Sequence, residues 1–331
     1  MKKYLLTIVL LALFAIPSSS NGQGFNKGGR TAFQFIKIGI GARQTAMGEA
    51  CISVVRDINS VFWNPANITG ILTTEASFSY ARWFADMNYL AGAAGYRWAG
   101  VGVFALSVSS LDYKHLQEAL VLENIESVDP RTGKTFTGGD LMLGLSFARE
   151  FTNKLSIGIT AKYLREELFV YDVDLLAFDV GTYYNTAFKG FRIAMSAQNF
   201  STGSISWLEK GKSDRIEGYD IPLIFRVGTT FDLIGGQSAF FNFGEDHYLQ
   251  LSLDAINTND YGERYHIGGE YWFGDFVALR SGYRFNYAEG NLSFGFGLNL
   301  EVSGLKTKVD YAYVNYEFLD SPHRFTVSFS F

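Results

Sequence analysis

From about residue 75 onward, apolar and polar residues alternate with a period of two almost without a break, as in strands with one greasy and one polar face. The clearest run is Asn291 to Glu301, where Leu292, Phe294, Phe296, Leu298 and Leu300 alternate with small, amide or acidic residues. The same pattern sets Leu141, Leu143, Leu145 and Phe147 against Gly144, Ser146 and Ala148, and Leu223, Phe225, Val227 and Phe231 against Arg226, Gly228, Thr230 and Asp232. Soluble sandwiches also alternate, but with shorter strands on average. Segments of about ten residues fit tilted strands that cross a bilayer. The large residues are therefore assigned to lipid and the small polar ones to an interior.

Such segments fall at 75–83, 87–98, 100–109, 139–150, 154–166, 172–186, 190–200, 220–233, 246–256, 263–273, 275–286, 291–301, 305–316 and 322–331. About fourteen strands result, an even number as bacterial barrels require. With a periplasmic start, the two longest connections, Ser110–Gly138 and Ser201–Tyr219, face outside. Turns such as Trp98-Ala99-Gly100 and Phe273-Gly274-Asp275 face inside, where short turns belong. The connection Ile234–Glu245 is long for that side. Trp83, Trp98, Tyr113, Tyr163, Tyr183 and Trp207 lie near segment ends, where headgroup-level aromatics would sit.

One stretch breaks the pattern. Phe33 to Ile71 is rich in small residues and ends in Trp63-Asn64-Pro65-Ala66, where Pro65 pushes Asn64 out of helical space. It reads as a compact plug. The fold class is thus all-β: a transmembrane outer-membrane barrel of about fourteen antiparallel strands with an N-terminal hatch in its lumen. Domains are assigned as a leader at 1–22, the hatch at 23–74 and the barrel at 75–331.

Composition agrees, with 30 Phe, 19 Tyr and 35 Gly against 5 Pro among 331 residues. Lys2 and Lys3, the apolar run Tyr4–Ile16 and the small residues Ser20-Asn21-Gly22 form a signal peptide cleaved after Gly22. Its loss takes the formal charge from −5 to −7, which leaves no basic surface for nucleic acid. Cys51 is the lone cysteine, so no internal disulfide forms. The chain ends on an amphipathic strand in which Phe325, Val327, Phe329 and Phe331 share a face. Phe329 and the terminal Phe331 resemble the signal by which barrels are handed to the barrel assembly machinery.

The alternation points Lys162, Arg226, Asp254, Glu270, Arg280, Arg284, Lys308, Asp310 and Arg324 inward. Charge in a narrow lumen must be paired or wetted. A network seating the hatch through Arg43, Glu49, Arg56 and Asp57 is favoured over a selectivity lining. No histidine is spaced for a metal, and no cofactor motif is present. A hydrolase would need His266 beside Ser252 or Ser281.

Gly41-Ala42-Arg43, Ala46-Met47-Gly48-Glu49-Ala50, Asp57, Ser60 and Trp63-Asn64-Pro65-Ala66 resemble the N-terminal signature of the PorV/PorQ family of outer-membrane barrels. That family is similar in fold to the FadL fatty-acid transporters. The chain departs from the pattern at Cys51–Arg56, where Arg56 precedes a single Asp57. Membership would imply the outer membrane of a Gram-negative bacterium of the Bacteroidota. It would also imply a role in type IX secretion, receiving cargo with C-terminal signal domains at the outer loops together with other secretion components. The alternative is FadL-like transport of long-chain fatty acids or other hydrophobic small molecules. The interior, read as mainly Gly, Ser, Thr and paired charge, favours secretion, as do the apolar residues Leu116, Leu120, Leu122 and Ile125 of the loop 110–138.

Overall fold

The computed structural model describes residues 29, 31–119, 131–203, 208–209, 218–244, 246–302 and 304–331. The leader, the tip of the loop 110–138 and Trp207 lie outside them. Fourteen antiparallel strands form the wall: β1 (Thr74–Arg82), β2 (Asn88–Trp98), β3 (Gly102–Asp112), β4 (Gly138–Glu150), β5 (Leu155–Leu168), β6 (Tyr171–Asn185), β7 (Arg192–Ser201), β8 (Ile224–Gly235), β9 (His247–Thr258), β10 (Arg264–Phe273), β11 (Val277–Phe285), β12 (Leu292–Val302), β13 (Leu305–Val314) and β14 (His323–Ser330). Each pairs with its neighbours in sequence, and β14 closes on β1 from Ala81↔Arg324 to Glu75↔Ser330. Closure leaves no free edge, which is the condition for strands to cross lipid.

The strand starting at 220 in the sequence reading begins instead at Ile224. Pro222 has no N–H for the ladder, and the Leu223 N–H donates to Asn259 Oδ1 at 3.1 Å. The long inner connection after β8 turns back so that Phe241–Asn242 pairs in parallel with the end of β8. Leu208–Glu209 pairs with the outer end of β6, and Leu116–Ala119 pairs with Arg131–Phe136 in a hairpin over the mouth. One wall irregularity stands out between β6 and β7. Asn199 adopts a φ of 67° and opposes Asp179 where the register slips between Phe178 and Val180, a β-bulge.

Alternation resolves into horizontal rows. One outward row runs Phe78↔Gly92↔Val108↔Leu143↔Tyr163↔Leu176, and the next runs Ala76↔Ala94↔Leu106↔Leu145↔Ala161↔Phe178. Above them a polar row of Arg82, Asn88, Asp112, Glu167 and Asp172 marks the outer limit of the apolar band. Below, Trp98, Phe104 and Phe147 pack edge to edge as an aromatic rim. Trp83 and Tyr113, grouped with the rim aromatics by their position in sequence, instead turn onto an interior apolar cluster, and Tyr183 is buried against the hatch.

Residues 31–71 occupy the lumen as short helical turns. They comprise a 3₁₀ turn at Gln34–Lys37, helix α1 (Ala42–Ala46), and 3₁₀ turns at Ile58–Phe62 and Pro65–Gly70. Asp57 caps the second 3₁₀ turn by accepting from Asn59 N, and Asn64 caps the third by accepting from Ala66 N with Pro65 first inside.

Candidate functional site: the lumenal hatch and the wall beside it

Two glycine pairs in the wall make room for the hatch. Gly268 and Gly282 face each other across β10 and β11, and a Cβ on Gly282 would stand 2.1 Å from Gly48 N. Gly158 and Gly181 face each other across β5 and β6, and a Cβ on Gly158 would stand 2.4 Å from the Pro65 carbonyl carbon. The two hatch turns of the sequence motif, Met47-Gly48 and Asn64-Pro65-Ala66, thus rest directly on wall backbone. Asn64 Nδ2 adds a 3.0 Å bond to Thr182 O, and Trp63 Nε1 donates to Ile40 O at 2.9 Å. Gly41 precedes α1 at a φ of 91°, a conformation suited to glycine, and Ala42 N donates to Thr326 Oγ1 at 2.8 Å.

The β8–β14 side holds the hatch by charge. Arg43 grips Glu270 through Nε and Nη2 at 2.8 and 2.7 Å, and reaches Asp57 Oδ2 at 3.3 Å through Nη1. Glu270, fully buried, also accepts from Arg280 Nε and Gln250 Nε2, each at 2.6 Å. Arg280 continues to Asp310 at 2.6 Å. Arg284 pairs with Glu49 at 2.9 Å, and Asp254 accepts from the backbone N–H groups of Cys51 and Ile52. Arg226 bonds to Gln198 and lies over the Trp63 ring at 4.9 Å. Arg56 reaches Glu150 on β4 at 3.8 Å. Two of the inward cations lie apart from this group: Lys162 pairs with Asp179 at the bulge at 2.6 Å, and Lys308 stands at the lower end, in the field of Glu75. Phe329 and Phe331 lie at the lower end of the closing strand, with Phe331 exposed.

The β2–β6 side differs from the sequence reading. Its upper inner face is apolar: Tyr89, Ala91, Leu111, Met142, Leu164, Val173 and Ala177 surround Phe33, Phe35, Ile36, Ile38 and Ile40 of the hatch. Inward Met142 lies between outward Leu141 and Leu143, so alternation does not reveal it, while Leu111 falls in the stretch read as the loop 110–138. Phe62 packs against this chamber and also against two lower clusters, one around Trp63 and Ile52 and one around Ile58, Ile68 and Val103. An apolar seam therefore runs down the lumen beside Asn64 and Pro65.

A small internal cavity of about 20 Å³ lies along this seam, lined by Ile36, Ile38, Phe62, Met142, Ser107 and Lys162 among others. Ser107 and Lys162 also line an apolar groove of about 770 Å³ on the outside of the wall. The groove lies on the two outward rows where Gly92, Ala94 and Ala161 leave depth between Phe78, Leu106, Leu143 and Phe178. The inward row behind it, Ser77↔Ala93↔Ser107↔Gly144↔Lys162, is small except for the lysine. Inside and outside are separated there by little more than backbone.

At the mouth, the hatch start is strapped down. Thr31 bridges Asp220, Phe33 N donates to Glu166 Oε2 at 2.8 Å, and Lys37 Nζ reaches Asp260 at 2.5 Å. Burial opposes charge on Asp260, but the Lys37 ammonium and the hydroxyls of Thr258 and Thr31 hold its carboxyl below the usual range. Burial pushes the Lys37 amine down despite Asp260. Asp179, Glu166 and Asp260 were not among the sequence candidates. Asp179 alternates with Ala177 and Gly181 and was open to the same reading as Lys162. His266 spends Nε2 on Tyr287 OH at 2.9 Å. Ser281 lies on the opposite, outward face, and Ser252 bonds to Thr230, so neither serine meets the imidazole. Among the described residues, no three histidine, cysteine or acidic side chains gather as a metal site.

No family model and no curated sequence matches the chain. Its architecture does have solved counterparts. The Pseudomonas putida toluene transporter TodX superposes with a TM-score of 0.59 over 88% of this chain and 98% of that one, at 13% identity. The fold is FadL-like. A Pseudomonas aeruginosa FadL homologue superposes at 0.51 over 89% and 98%, at 10% identity. A TodX deletion variant described as a monoaromatic hydrocarbon channel gives 0.56 over 88% and 98%, at 13% identity. At these identities the FadL-like likeness concerns architecture. None of these three structures bears a PorV or PorQ name.

Proposed function

We propose that the protein passes hydrophobic small molecules across the outer membrane, with the upper apolar chamber as entrance and the Phe62 seam as path. The observation that carries this reading is the seam, which links the chamber to the lower clusters on either side of Asn64-Pro65. Concave, mainly apolar sites with a few placed polar groups are the usual form of small-molecule sites. The groove that shares Ser107 and Lys162 with the inner cavity supplies a lateral way out toward lipid. The transport named for TodX, and the FadL-type neighbour, give this reading a precedent on the same architecture. Its localisation in the outer membrane and its delivery there by the assembly machinery through Phe329 and Phe331 belong to the same proposal. Uptake of radiolabelled toluene and of palmitate by cells expressing the protein tests it. Wild type should exceed Phe62→Asp for at least one of the two, with equal amounts of folded barrel. Uptake at the level of cells lacking the protein for both would sink it.

The narrower reading, a type IX accessory that binds C-terminal-signal cargo at its outer loops, rests on the hatch motif. Arg43, Asp57, Trp63 and Asn64 are all engaged within the hatch and wall, which accounts for the motif without cargo. Recovery of secreted proteins sharing a C-terminal domain in a pull-down from native membrane would restore it.

A further inference from the structure

Arg324 stands apart from the other inward arginines, of which Arg280 and Arg284 bond to carboxylates and Arg226 bonds to Gln198. It is 4% exposed, and among the described residues Nε and Nη1 meet no hydrogen-bond acceptor. Its guanidinium stands 5.1 Å from the centre of the Trp83 ring. The Tyr89 hydroxyl, equally buried, also meets no partner of good geometry. Both side chains line one small cavity of about 10 Å³, bounded by hatch residues Gly39–Ala42 on one side and by β1, β2 and Thr326 of β14 on the other.

Three features define what this cavity takes. Arginine keeps its charge in proteins, and a buried charge demands a counter-charge. The acid whose field reaches it, Glu49, is already bonded to Arg284 at 2.9 Å. Two of the carbonyls on the hatch side already accept a hydrogen bond, Ile40 from Trp63 Nε1 and Gly41 from Thr45, and the side chains of Arg324 and Tyr89 bring donors. Water would need acceptors for its own hydrogens, whereas a halide only accepts. Finally, the volume matches one body of about water size, too small for a carboxylate, phosphate or sulfate.

We propose that Arg324 and Tyr89 bind a single halide ion, chloride in the cell, that pins the Gly39–Ala42 segment of the hatch to the closing seam of the barrel. This site is independent of what the seam transports.

Bromide is the probe. Crystals of the full-length protein grown in sodium bromide should show an anomalous peak within hydrogen-bond reach of Arg324 Nε or Nη1. Thermal unfolding of the detergent-solubilised protein should shift upward with chloride relative to gluconate at equal ionic strength, since gluconate does not fit. Arg324→Met should lose both the peak and the shift. Should Arg324→Met fail to fold, Tyr89→Phe is read instead, and it should weaken the chloride dependence. Absence of the peak in wild type, or a chloride shift unchanged in whichever variant is read, would overturn the proposal.

Discussion

The two sides of the lumen hold the same hatch by opposite means. On the β8–β14 side, Arg43, Glu270, Arg280 and Asp310 form a chain of directional bonds with no slack. On the β2–β6 side, the side chains of Phe35, Ile38, Ile40 and Phe62 meet the wall through apolar contact, with a few neutral or single fittings such as Asn64 Nδ2 to Thr182 O and Phe33 N to Glu166. Ion pairs of fixed geometry fail abruptly when a partner is lost, whereas apolar contacts are non-directional and accept a substitute of similar size. The hatch is therefore anchored on one side and yielding on the other, and a guest molecule can take the place of side chains only where the contact is apolar.

The largest break in this contrast should come from Glu270→Ala. It takes from Arg43 and Arg280 the buried carboxylate they share, leaving Arg43 only Asp57 and Arg280 only Asp310, at a cost of about 3 kcal/mol, and should lower the urea midpoint sharply while raising ion conductance in planar bilayers. An unchanged midpoint would show that the anchor is dispensable. Gly282→Val forces a side chain onto Gly48 N, and such overpacking costs about 1–3 kcal/mol. It should release residues 41–50 to faster hydrogen exchange and leave residues 31–40 as they were. Phe62→Ala removes a half-buried ring, for which about 2 kcal/mol is reasonable given the range for core phenylalanines. Here the expected sign for transport is opposite to that for stability: hydrophobic uptake should rise as the seam opens, and a fall would count against the yielding side.

The smallest effect belongs to the strap at the mouth. Because the Asp260 carboxyl lies below its usual range in the folded protein, its contribution is complete above the ordinary aspartate pKa and fades as pH falls through the lowered one. Lys37 is lowered by burial, so the ammonium side of the pair is lost sooner on the alkaline side than for a free lysine. Protection of the amides in residues 31–40, taken relative to their intrinsic exchange rates, should thus be greatest between these limits and weaker in acid. Lys37→Met should flatten the acid limb, since it removes the ammonium that lowers the Asp260 carboxyl, while the Thr31 hydroxyl still donates to that carboxyl.

Alternation made the wall legible, because a period of two assigns each residue a face wherever one face is small and the other large. It failed where both faces are large. Around Leu141-Met142-Leu143 the outward leucines are evident, but inward Met142 carries no contrast, and the chamber to which it belongs stayed hidden. The preference for a polar interior followed from that omission. Charge was legible by position and not by partner: alternation sets Lys162 inward, while its mate Asp179 stands diagonally across β5 and β6, a neighbour that only the register reveals. The groove was illegible because depth at Gly92, Ala94 and Ala161 arises from residues on β2 and β5 that come into one patch only through register.

The hatch also lies across the one joint of the wall that links the two ends of the chain. Ala42 N and Asn59 Nδ2 bond to Thr326 and Ser328 of β14, while Ile58 N bonds to Glu75 of β1. The hatch, which precedes every wall strand in sequence, thus carries fittings for the fourteenth. During biogenesis it can act as a jig, holding the first strand and offering the final one a surface shaped to its inner face, so that the cylinder is measured from within before it is sealed.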